Sequence, residues 1–140
     1  MAYTSITDIN EILGKYSKEL DDMLYQEAKD IANNGTKKLK QTSPINSKNT
    51  QHRGRYRKGW RMEITKGFGY VEAEIHNKTD YQLTHLLEKP HLKRNGGITV
   101  PKVHIAPVEQ ECIREFEKEI TRRIEVGLWN INKYLKCWKP

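Results

Sequence analysis

Five histidines, two cysteines and eighteen acidic residues are the groups with which this 140-residue chain could do chemistry. A metal ion needs three or four ligands converging at once, so its ligands recur at short, fixed spacings. His85, His91 and His104 stand six and thirteen residues apart, and no His-x3-His or Cys-x2-Cys spacing occurs. Glu63, Glu72, Glu74 and Asp80 could suggest a nuclease carboxylate cluster. Glu72 and Glu74, however, alternate with Val71, Ala73 and Ile75, which is the pattern of a charged outer strand face. No Ser or Cys sits in a nucleophile elbow with a base in reach. Gly96-Gly97 lacks the Lys and Ser/Thr of a phosphate-binding loop. The expectation is therefore no catalytic residue, no metal ligand and no cofactor.

Binding chemistry is better represented. QHRGRYRKGW interleaves Arg53, Arg55, Arg57 and Lys58 with aromatic residues, as nucleic-acid-binding strands often do. The alternative is a solvated strand entrance that anchors Trp60 in the core, and this reading is preferred. A second basic cluster, His91, Lys93 and Arg94, lies in the stretch Tyr81–Pro107, YQLTHLLEKPHLKRNGGITVPKVHIAP. Leu83, Leu86 and Leu87 have i, i+3, i+4 spacing, the apolar stripe of a short helix. Pro90 must end that helix, because it donates no helical bond and disfavours α geometry at Lys89. Asn95-Gly96-Gly97 supplies positive-φ positions for a reversal. Ile98, Val100, Val103 and Ile105 suggest a short extended piece, and Pro107 suits a helix's first turn.

In this stretch, HLLEKPHLKRNGG followed by PKVHIAP resembles a segment of tail-completion proteins of tailed phages. These small neck proteins, also called head–tail joining or minor tail proteins, are of the gene-product-ten type. TSPINSKNTQHRGRYRKGW and NKTDYQL resemble two further signals of that family, in the same order. The resemblance runs from about Ser43 to Glu109. Pro90 stands where the family commonly has Gly, Val108 where it commonly has Ala, and Ile45–Arg53 is a longer polar insert.

These segments must be positioned by one domain, near the commonest domain size. Only 36% of residues are hydrophobic and 31% are charged, which suits an elongated or oligomeric protein. The net charge of +7 permits contact with nucleic acid, a membrane surface or acidic protein. Cys112 and Cys137 fall on one expected helix, so a straight helix excludes a bond between them within one subunit. The expectation is reduced thiols in a protein made in the host cytoplasm. Met1–Asn10 has no apolar core of a signal peptide, and no segment has the apolar length of a membrane span.

Taken in order, apolar residues from Ile9 to Ala32 hold helical spacing, which predicts a helix over 7–40. The polar stretch 41–54 reads as a flexible loop. Trp60, Met62 and Ile64, then Val71, Ala73 and Ile75, alternate with polar residues and predict a β-hairpin within 55–77. Residues 81–105 form short helix, loop and strand, the last a candidate third strand. Cys112, Phe116, Ile120, Ile124, Leu128, Ile131 and Leu135 stripe a helix over 107–137. The fold class is α+β: a small antiparallel β-sheet flanked by long N-terminal and C-terminal helices. The overhanging end of the last helix would expose Leu128, Ile131, Leu135 and Trp138, an apolar patch that a subunit contact would cover.

The resemblance implies a structural, non-enzymatic phage or prophage protein of the virion neck. It would help join the tail to the DNA-filled head, in contact with the connector or adaptor on one side and the tail terminator or tail tube on the other. It implies a homo-oligomeric ring, with six subunits matching tail symmetry, although such proteins can stay monomeric until a template ring is presented. Non-specific DNA proximity follows from that position; a membrane partner does not. Interaction residues on this reading are Arg53, Arg55, Arg57, His91, Lys93, Arg94, Leu128 and Ile131. The rival reading is a small basic DNA-binding or nuclease-accessory protein.

Overall fold

The computed structural model describes residues 6–46, 48, 51–67 and 69–136, and the side chains of 11, 13–46, 48, 51–67 and 69–127. The first element, α1, is the 37-residue helix Ile6–Thr42. It runs through Gly35 without a break, because that glycine is used for close packing. A Cβ there would stand 2.7 Å from Cys112 Sγ and 3.0 Å from Ile75 Cδ1. A one-turn helix α2 (Arg55–Lys58) leads into strand β1 (Trp60–Gly67), which pairs antiparallel with β2 (Tyr70–Asn77). Gly69 takes φ 77° in the connection, a conformation costly for residues with a Cβ. Helix α3 (Gln82–Glu88) follows, and α4 (Ile105–Lys136) closes the chain.

The architecture is α+β, with the two long helices flanking a two-stranded sheet. Helix α1 is the spine. It packs on both strands and on α4, whereas α4 and the hairpin meet mainly at the core end, where Val108 joins Trp60. Helices α1 and α4 run antiparallel: Lys38 reaches Glu111 at 2.5 Å, and Arg123 reaches Glu27 at 2.5 Å. Trp60 opposes Asn77, Met62 opposes Ile75 and Ile64 opposes Ala73, so these pairs share the face toward α1. The buried core gathers at one end, where Leu39, Tyr56, Trp60 and Val108 meet.

Three expectations need correction. Arg55–Lys58 is helical rather than a strand entrance; a four-residue turn is too short to show periodicity. The segment 98–105 adds no third strand. Ile98 makes a single antiparallel bridge with Leu92, and α4 already begins at Ile105. Leu83 and Leu86 do not form a packed stripe, since both are exposed and α3 buries no residue.

Candidate interaction surface

The site is a finger with a locked base. At the base, the Glu88 carboxylate accepts the backbone N–H groups of His104 and Ile105, each at 2.7 Å. These are the otherwise unpaired donors at the start of α4, so an acid from α3 caps a helix sixteen residues on. Burial alone would raise the Glu88 pKa. The backbone donors and neighbouring His104 outweigh it and hold the carboxyl below its ordinary value.

His104 carries the lock into the core. Its Nδ1 lies 2.7 Å from the Lys102 carbonyl and 3.0 Å from Glu88 Oε1. A carbonyl only accepts, so Nδ1 carries the proton, and in the neutral ring Nε2 accepts from the Tyr56 hydroxyl at 2.8 Å. Burial, then the charges of Glu88 and Asp80, push the Tyr56 pKa far above its usual value. The order Tyr–His–carboxylate is that of a proton relay. Here Tyr56 and His104 are buried and stacked edge-on at 5.6 Å, and Glu88 is committed to backbone. The arrangement holds the chain together.

The other side of Tyr56 is locked to the hairpin. The indole N–H of Trp60 donates to Ser43 Oγ at 2.7 Å, and Ser43 is wholly buried. Asn77 Nδ2 donates to the Tyr56 carbonyl at 2.7 Å, while its Oδ1 accepts from Thr79 and Asp80. Gly59 faces this amide. A Cβ there would overlap Thr79 Oγ1 and stand 2.5 Å from Asn77 Oδ1, so the approach admits only glycine.

From this base, residues 91–99 project as the finger. His91 and Thr99 face each other: Thr99 N–H donates to the His91 carbonyl, and His91 N–H donates to Thr99 Oγ1, both at 2.9 Å. Leu92 bridges Ile98, and Lys93 N–H donates to the Gly97 carbonyl at 2.6 Å. Gly96, at φ 81°, makes the reversal. The loop expected within 81–105 is a small ladder with its own hydrogen bonds. Leu92 is 75% exposed, Ile98 67% and Val100 86%, so the finger presents apolar surface. Lys93 and Arg94 flank it, both exposed.

The structure separates the other residues expected to interact. Arg53 is exposed at a corner lined also by Arg55, Lys58 and Arg61. Arg55 lies 3.5 Å from Asp80 and donates to the Thr79 carbonyl. Arg57 turns inward and gives Nε and a terminal nitrogen to the Ser43 carbonyl, at 2.8 and 2.6 Å. Leu128 and Ile131 lie on α4, but their side chains fall outside the described residues, as do those of Leu135 and Trp138. Cys137 also lies outside them. Burial, then the charge of Glu115, raises the Cys112 pKa, leaving it a thiol. Among the described residues, no group of three or more His, Cys, Asp or Glu side chains could hold a metal ion. None of their helices is long and apolar enough to cross a membrane.

Residues 8–89 match the family described as "Bacteriophage HK97-gp10, putative tail-component". The chain belongs to this phage tail-component family. The match covers more than half of the chain, from α1 through α3, and stops at the foot of the finger. No curated protein and no solved structure matches the chain. Within the matched span, Trp60, Gly59, Asn77 and Glu88 make the contacts that fix the finger's base. Sequence reasoning singled out Trp60 but missed Ser43, Asn77 and Glu88. None of the three carried a local signal: Glu88, for one, stands sixteen residues before the His104 N–H that it accepts.

Proposed function

We propose that this tail-component chain works in the virion neck, joining the tail to the DNA-filled head as a non-enzymatic ring subunit. The observation that carries the reading is the finger: exposed apolar side chains held on a hydrogen-bonded ladder whose base Glu88 and His104 pin to the core. A finger ordered before binding loses less entropy on docking, so it suits recognition of a preformed ring. Head-side connector or adaptor and tail-side terminator or tube are the partners proposed, with six subunits matching tail symmetry. The finger and the Arg53 corner are the contact elements. The rival DNA-binding reading loses support because Arg57 is engaged with Ser43 and Arg55 with Asp80 and Thr79.

The test is deletion of the gene from the phage or prophage that carries it. The expected result is DNA-filled heads and finished tails that accumulate unjoined and are rescued by the gene in trans. Normal joined particles would overturn the neck assignment.

A further inference from the structure

Because α4 and the hairpin both pack on α1 and meet each other mainly at the core end, a groove stays open between them beyond it. Its floor is α1 at Ala28 and Ala32, and its walls are Ala73 and Ile75 on β2 and Ile113 and Phe116 on α4. The groove encloses about 330 Å³ and continues into a second apolar recess that shares Ala73, Ile75 and Ile113. That is within the roughly 300–1,000 Å³ range of sites that bind ligands. Ala73 lies on the strand face turned to α1 and is nonetheless exposed, and Ile113 is 51% exposed. The sheet's inner face is therefore only partly covered by its own chain.

We infer that the groove is the seat for the finger of a second copy of this chain. The finger presents Leu92, Ile98 and Val100, aliphatic side chains of the kind the groove's lining lacks a partner for. Charge matches as well. Glu109 and Glu117, both exposed, border the groove. Lys89, Lys93, Arg94 and Lys102 surround the finger, all exposed. Among the described residues none of these six groups is in an ion pair. No finger residue lines the groove of its own chain, so the two surfaces are separate halves of one contact. A contact between different patches of identical subunits is heterologous, and it closes into a ring when the rotation permits. The inference rests on the ring reading above and names the surfaces that would make it.

The experiment is site-directed crosslinking in a Cys112→Ser, Cys137→Ser background. Ile98→Cys and Ile113→Cys are introduced together, and both the concentrated protein and particles carrying it are oxidised mildly. The expected product is a ladder of disulfide-linked oligomers, reversed by reductant and reduced to dimers or nothing in each single-cysteine chain. Lys93→Glu with Arg94→Glu should weaken association at least about tenfold, and adding Glu109→Lys with Glu117→Lys should restore it. Lys93, Arg94, Ile98, Glu109, Ile113 and Glu117 are exposed, so their substitution should leave the circular dichroism of the Cys112→Ser, Cys137→Ser chain unchanged. Absence of the ladder from both samples, or charge pairs that fail to rescue each other, overturns the inference. The gene-deletion phenotype is independent of that outcome, so a failed crosslink leaves the neck reading standing.

Discussion

Glu88 and His104 lie sixteen residues apart, and the Glu88 carboxylate accepts the His104 backbone N–H at 2.7 Å, closing the finger at its base. Because the same carboxylate also caps Ile105, removing it leaves at least two donors at the start of α4 without partners. Glu88→Ala is expected to cost about 1–3 kcal/mol, the range for stranding buried donors or losing a cap. It should also speed amide exchange in residues 91–104 more than in α1. Uniform exchange, with stability unchanged in denaturant titration, would show that the cap does not hold the finger.

Trp60 is 2% exposed and gives its indole N–H to Ser43. Trp60→Ala should cost about 3–5 kcal/mol, a large share of a small domain's stability. Ser43→Ala removes that acceptor together with the hydroxyl's own bond to the Leu39 carbonyl, and stranding the indole N–H should cost about 1–3 kcal/mol. Because the two residues form one bond, the double mutant should cost less than the sum of the singles. Strict additivity in urea melts would mean that the bond contributes nothing.

Gly59 sits against the Asn77 amide, which ties α2 to the turn after β2. Its φ of −75° is open to any residue, so backbone strain plays no part. Gly59→Ala should nevertheless destabilise by about 1–3 kcal/mol through overlap with Thr79 and Asn77. Thermal unfolding would check this; an unchanged or raised midpoint would refute the close approach.

The raised Tyr56 pKa makes a signed pH prediction. Burial favours the neutral phenol in the folded state, and the Glu88 and Asp80 charges add to this. The stabilisation is fully present below the unfolded value of about 10 and is lost as pH rises above it. The native chain should lose stability above about pH 10 more steeply than Tyr56→Phe. Parallel stability–pH curves would contradict the buried Tyr56–His104 bond.

The legible parts of the fold were those with long period. The stripes of α1 and α4 and the alternation of Trp60–Ile64 with Val71–Ile75 reported their elements because each buries one face. Pro90 marked the end of α3, and Lys89 has the extended backbone a following proline demands. Arg55–Lys58 was not legible, since four residues carry no period. Ile98 and Val100 looked like a third strand because exposed apolar residues read the same in sequence as buried ones. Their real partner is the His91–Leu92 arm of the same finger, recognisable only through the Thr99–His91 bonds. The locks at Ser43, Asn77 and Glu88 join residues distant in sequence, and local patterns do not encode such pairings.

Immunogold electron microscopy of virions locates the chain in the particle. Antibody raised against the folded chain, or gold bound to a terminal tag, should mark the junction of head and tail. Label along the tail shaft or at its distal tip, or none on intact particles, would contradict the account.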